Sequence, residues 1–270
     1  MSINTSDIHQ KEAAFHDEWA KNTKLSEVEV RAAFEALTAP ENRFILSQMG
    51  SLKGKKVLDV GAGLGESSVY FALLGAEVTM VDISPQMVQL AIELGNSYGV
   101  KINGVVCAAE SLNVAPNAFD FVYIANLLHH ITDRGKLFEQ VQETLKPGGK
   151  FYSWDPLTYN PVINVYRKMA TKVRTEDESP LTIADLELAK KYFADVGHQE
   201  FWVLSLAIFL KYYLIDRVVP NSDRYWKKIL RESEKSLWWF KPLQKIDSLL
   251  TQIPGLRWMA WNIVMWGSKK

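Results

Sequence analysis

Several groups of residues in this chain have types and spacings that chemistry can use. Gly61-Ala62-Gly63-Leu64-Gly65 ends a short β-branched run, and glycine lets the backbone turn tightly while a ligand lies against the main chain. Asp82 ends the next apolar run, where a carboxylate can accept both hydroxyls of a ribose. Asp59 precedes the glycines and Glu66 follows them, so the turn is flanked by negative charge. His129-His130 follows a further apolar run, and imidazole titrates near neutrality, so either ring can take a proton from a phenol or another hydroxyl. Asp155, with Tyr159 close behind, offers a carboxylate and a phenol that would bind or deprotonate an acceptor. The alternative there is a capped loop entering a helix at Pro161. Tyr166, Arg167 and Arg174 suit an anionic group, or else a solvated helix face. Phe15-His16-Asp17-Glu18-Trp19 suits a cap closing over a site, with His16 and Trp19 reaching in, or an amphipathic helix packed on the domain.

The glycine spacing separates two cofactor classes. A dinucleotide turn reads G-x-G-x-x-G and receives a pyrophosphate. Here the third glycine comes one residue early and Glu66 follows it, which would repel a pyrophosphate. Asp59 suits a cationic amino group, so the residues favour S-adenosylmethionine over a nicotinamide. The histidines and carboxylates show no metal-ligand spacing, and no metal is expected.

Residues 50 to 155 resemble the class I S-adenosylmethionine-dependent methyltransferases, in particular the branch that includes ubiquinone- and menaquinone-biosynthesis methyltransferases. The likeness rests on Val57-Leu58-Asp59-Val60-Gly61-Ala62-Gly63-Leu64-Gly65, Val81-Asp82-Ile83-Ser84-Pro85, Ala109-Glu110, Phe119 to His130, and Leu145 to Lys150. It implies a cofactor site that includes Asp59, Gly61, Ala62, Gly63, Gly65, Asp82, Ile83 and Met87. Ala109 and Glu110 would stand beside the adenine and Asn126 on the cofactor side, with His129, His130 and Asp155 as the catalytic candidates.

The elements that must position these groups follow from periodicity. Strands are expected near 56–60, 77–81, 101–107, 119–125 and 149–154, with helices near 66–74, 85–97 and 133–145 between most of them, which means a parallel sheet covered on both faces. The fold expected is α/β, a Rossmann-like sheet of seven strands, mostly parallel with the last antiparallel. Residues 1–50 read as a helical cap, with a Ser26/Glu29 capping box starting one helix and Pro40 another. The core spans 51–207, with helices over 160–174 and 182–194, the latter capped by Thr182 and Asp185, and a sixth strand from Glu200 to about Leu206. Residues 208–256 read as a helical insertion with an apolar stripe of Trp239, Leu243, Ile246, Leu250 and Ile253, and the final strand, Trp258 to Trp266, falls within the closing segment 257–270.

Basic and acidic residues cancel at 31 each, which argues against a nucleic-acid partner. Cys107 is the single cysteine, excludes an internal disulfide framework and reads as a buried, inert thiol. Residues 1–20 carry no export pattern, and the apolar run Phe201 to Leu210 is too short to span a bilayer, so a cytoplasmic protein is expected, with peripheral membrane contact open. Seven of the nine tryptophans fall at or after Trp202. They suit a greasy acceptor or a membrane interface, or else a second small core or a homodimer contact. The reading is methyl transfer to a small or lipid-like molecule, oxygen being the preferred acceptor atom. A non-catalytic cofactor-binding regulator and a nicotinamide-dependent oxidoreductase are the alternatives.

Overall fold

A computed structural model describes residues 5–171, 178–221 and 223–270. Strands β1 (Lys56–Val60), β2 (Glu77–Asp82), β3 (Ile102–Val106), β4 (Phe119–Ala125), β5 (Leu145–Pro156), β6 (Phe193–Phe201) and β7 (Asn262–Lys269) form one sheet in the order β3-β2-β1-β4-β5-β7-β6. The first five are parallel, while β7 runs antiparallel to both β5 and β6. The chain order reverses between β1 and β4, and a crevice opens at the carboxyl ends there. Both faces are covered, which is why the inner strands read as continuous β-branched runs.

On one face lie α3 (Pro40–Met49), α4 (Glu66–Leu73) and α5 (Pro85–Ser97), sharing a core with Val57, Met80 and Tyr123. On the other lie α6 (Arg134–Thr144) and α8 (Ile183–Tyr192), packed on Leu58, Val122 and Phe151. Helix starts follow their capping residues: Ser84 Oγ accepts the Met87 N–H at 3.0 Å before Pro85 opens α5, and Thr182 with Asp185 forms the expected box on α8. Asn160 Oδ1 accepts from Val162 and Ile163 at the start of α7 (Pro161–Met169).

The cap is α1 (Thr5–Lys21), packed against α5, followed by a tight 3-10 turn and the single-turn α2 (Ala32–Glu35). The helix expected from Ser26 does not form: Val28 and Val30, two apart, are both buried, and a helix would send them to opposite sides.

The sixth strand begins seven residues earlier than the sequence suggests. Gly197 pairs with Trp266, and a Cβ at Gly197 would meet that indole at 2.3 Å, so the glycine read as a lead-in is the position where the strand can pass the ring. β7 also starts later than expected, after a 3-10 turn at Leu256–Met259.

The insertion is helical, as expected: α9 (Ala207–Leu210) with a π-helical turn after it, α10 (Tyr225–Arg231) and α11 (Ser233–Leu250). Its rings build a third core in which Trp202, Phe209, Tyr212, Tyr225 and Phe240 are buried against Ile163 and Tyr166 of α7. The expected stripe is rotated. Ile246 and Ile253 are exposed, while Ser233, Ser236, Phe240 and Asp247 face inward, because the Asp247 carboxylate accepts the backbone N–H groups of Val203, Leu204 and Ser205 and the Ser205 hydroxyl. Four donors compensate a buried charge that hydropathy alone places outside. Among the described residues no helix is long and apolar enough to cross a membrane.

Candidate functional site

The crevice at the ends of β1, β2 and β4 is lined by Gly61, Gly63, Asp82, Ile83, Ala109, Glu110 and Asn126, seven of the eleven residues expected on the cofactor side. Three glycines hold positive φ, at 70°, 52° and 85° for Gly61, Gly63 and Gly65, but for different purposes. A Cβ on Gly63 meets nothing within 4 Å and would occupy the cleft. A Cβ on Gly65 would lie 2.5 Å from the Ala91 Cβ, so this glycine lets α4 approach α5 and does not line the cleft.

The Asp82 carboxylate accepts the Gly63 N–H at 2.8 Å and the Ser84 N–H at 2.9 Å, one on each oxygen, which fixes it while leaving lone pairs for a ribose. Burial raises its pKa, against the opposing backbone bonds and the nearby His16.

Asp59, Ala62, Gly65 and Met87 stand behind the cleft wall. Asp59 is buried, takes the Ser67 and Ser68 hydroxyls at 2.6 Å each, and burial raises its pKa to about 6. Met87 is buried in α5. Glu66, which follows the last glycine of the turn, pairs with Lys227 of α10 at 3.6 Å.

α1 closes the cleft from above. His9 reaches Glu110 at 3.4 Å, Glu12 lies 3.3 Å from His130, and the Ser84 hydroxyl donates to Asp17 at 2.5 Å. His16 lines the cleft as expected, and its buried Nδ1 has no hydrogen-bond partner among the described residues. Such a nitrogen suits a ligand group. Trp19 does not reach the cleft. It is clasped by the insertion, with the Arg224 guanidinium 3.7 Å and the Lys227 ammonium 4.8 Å from its ring centre.

The two adjacent histidines diverge. His130 lines the cleft beside Asn126. His129 is buried, with Nδ1 2.7 Å from Asp155 Oδ1 and Nε2 3.9 Å from Glu178 Oε2. Burial raises the Asp155 pKa to about 7, against the opposing His129 N–H bond and the Arg134 charge. Arg167 lies 3.5 Å from Glu178 rather than on a solvated face, and burial lowers its pKa to about 10. Tyr159 accepts the Ile183 N–H at the start of α8. Tyr166 is packed against Phe209 and Tyr225, and Arg174 lies outside the described residues.

The sequence reading missed His9, Glu12 and Glu178, which carry no local motif. Cys107, expected in a buried strand, stands just past β3 on the cleft wall, half-buried, its thiol pKa raised by burial.

Residues 58–153 match the model of a methyltransferase domain. The chain is 31% identical over 212 residues to a ubiquinone biosynthesis O-methyltransferase of Xanthomonas euvesicatoria pv. vesicatoria, covering 78% of this chain and 70% of that protein. It is 33% identical over 131 residues to a ubiquinone/menaquinone biosynthesis C-methyltransferase of Haemophilus ducreyi, covering 46% of this chain and only 51% of that relative. The fold is similar to that of a phosphoethanolamine N-methyltransferase from Haemonchus contortus solved with S-adenosyl-L-methionine, with a TM-score of 0.56 at 21% identity over 94% of this chain and 60% of the other.

Proposed function

The chain belongs to the class I S-adenosylmethionine-dependent methyltransferases, and from that premise we propose that it methylates a hydroxyl group on a small, hydrophobic, quinone-like acceptor. The observation that carries the reading is His130 on the wall of the cofactor cleft, next to Asn126, with the ring of His129 at a centroid distance of 4.2 Å behind it.

Bound S-adenosylmethionine supplies a methyl already activated on sulfonium sulfur, and the sulfur keeps the bonding pair when the methyl leaves. The chain's own residues have the remaining tasks. Asp82 holds the ribose hydroxyls, while Gly63 lets the cofactor lie against the main chain. α1 covers the cleft and excludes water, which strengthens the polar interactions inside it. A ring nitrogen of His130 takes the hydroxyl proton as the oxygen is methylated, and Glu12 beside it steadies the resulting charge. Relatives named for ubiquinone biosynthesis, at roughly 30% identity, support an acceptor of this polarity.

The outward face of α11 favours working at a membrane surface: Trp238 is 81% and Leu249 62% exposed, with Lys241 and Lys245 exposed on the same helix. The test of the acceptor is product analysis after incubation with methyl-labelled S-adenosylmethionine and matched alkylated phenols, anilines and quinols. Ether products are expected. Transfer confined to nitrogen or carbon would overturn the hydroxyl assignment.

A further inference from the structure

We propose that His129, His130 and Glu178 form a binding site for a divalent transition-metal ion beside the cofactor cleft. One ligand atom from each lies within 4.8 Å of the others. His129 Nε2 and Glu178 Oε2 are 3.9 Å apart, less than twice the bond of about 2.0–2.1 Å that a zinc-type ion makes to nitrogen or carboxylate oxygen. One ion can therefore bridge these two, and a His130 ring nitrogen lies within 4.8 Å of both.

The support behind His129 is the second observation. Asp155, completely buried, holds Nδ1 at 2.7 Å and also accepts the His129 backbone N–H at 3.2 Å. A carboxylate on one imidazole nitrogen keeps the proton there and directs the lone pair of the other outward, an arrangement that recurs behind metal-bound histidines. Here the outward nitrogen faces Glu178.

Two imidazoles and one carboxylate suit zinc, manganese, iron or cobalt, whereas magnesium and calcium select oxygen-rich sets. Three protein ligands leave positions open beside the cleft. With an ion bound, His130 is a ligand and no longer the proton acceptor, and an acceptor hydroxyl on the ion would lose its proton to solvent more readily; this role rests on the hydroxyl reading, while the metal site itself does not.

The test uses the full chain, stripped with chelator and titrated with Co²⁺ followed by visible absorption, then with Zn²⁺ as competitor. One equivalent is expected to bind, with affinity falling in Glu178→Gln and in His129→Gln by more than the roughly 10–100-fold that loss of an outer-shell partner alone brings, and unchanged in His198→Ala, whose ring bonds Glu200 elsewhere. Calorimetric affinity for S-adenosylhomocysteine, measured on each variant, reports whether the fold and cleft survive. The proposal is overturned if the wild-type chain takes up no stoichiometric Co²⁺, or if variants with an intact cleft bind it as tightly as wild type. Because metal uptake is read without an acceptor, its failure is distinct from failure of the hydroxyl assignment.

Discussion

Gly63 and Gly65 sit two residues apart with the same backbone handedness, and the structure assigns them opposite consequences on substitution. Both hold positive φ, 52° and 85°, so alanine at either position adds about 1–2 kcal/mol of backbone strain. At Gly63 nothing else is disturbed in the free protein, because the new Cβ meets no atom within 4 Å. At Gly65 the Cβ would stand 2.5 Å from the Ala91 Cβ and 3.0 Å from its Cα, neither of which can swing away. Overpacking of this kind adds about 1–3 kcal/mol.

Gly65→Ala is therefore expected to lose about 2–5 kcal/mol of stability, against about 1–2 kcal/mol for Gly63→Ala, and its melting temperature to fall further. Ligand binding should reverse the order. The methyl of Gly63→Ala projects into the cleft and is expected to weaken S-adenosylhomocysteine binding by about tenfold or more, roughly 1.4 kcal/mol. Gly65→Ala, measured where it is folded, should stay within about threefold of wild type. Differential scanning calorimetry and isothermal titration separate the two effects. Unchanged affinity in Gly63→Ala would refute the placement of the cofactor against this turn, and equal melting temperatures would refute the packing argument.

Glu41 is buried, accepts from Asn262 at 2.6 Å, and has its pKa raised by burial from 4.5 to about 7. The folded chain thus holds this proton more tightly than the unfolded one, so the carboxylate's destabilisation grows as pH rises from about 4.5 to 7 and is complete above that. Glu41→Gln, which keeps the acceptor oxygen, should melt higher than wild type at pH 8 and converge with it below pH 4.5; a lower melting temperature at pH 8 would refute the account. Trp19→Ala removes the ring between Arg224 and Lys227, and by loosening α1 should raise the Kd for S-adenosylhomocysteine by about 3–10-fold, cation–π contacts contributing about 0.5–2 kcal/mol; an unchanged Kd would mean the clasp does not hold the cap closed. His130→Ala should lower kcat by about a hundredfold or more while S-adenosylhomocysteine affinity changes little, and a wild-type kcat would remove it from proton transfer. Trp238→Ser combined with Leu249→Ser, both at exposed positions, should abolish co-sedimentation with anionic vesicles without lowering the melting temperature; vesicle binding equal to wild type would place membrane contact elsewhere.

The insertion shows why some expectations did not transfer. The tryptophans from Trp202 onward suggested a greasy contact surface or a second small core; Trp202, Trp239 and Trp261 pack into or against such a core, and Trp238 is left 81% exposed. The helical stripe was read from hydropathy, whereas the helix turned to give Asp247 the turn of backbone N–H groups at Val203 to Ser205. Those donors belong to a segment more than forty positions away in sequence, so periodicity within α11 carries no trace of them. The Glu66 carboxylate likewise finds its partner, Lys227, in the insertion.

What the sequence by itself determined is the sheet from β1 to β5, the glycine turn and Asp82, and with them the cofactor. These depend on local causes: β-branched runs, glycines at positive φ, capping serines and threonines, and a short βαβ connection that brings Asp82 to Gly63. What only the tertiary structure decided is where each polar side chain points. His129 and His130 are neighbours in sequence, but one turns inward to Asp155 and Glu178 and the other lines the cleft under α1. That division is made by partners from β5, from the segment before α8 and from the N-terminal helix. Such long-range pairings follow from how the covering elements pack on the sheet, and the spacing of residues along the chain does not encode them.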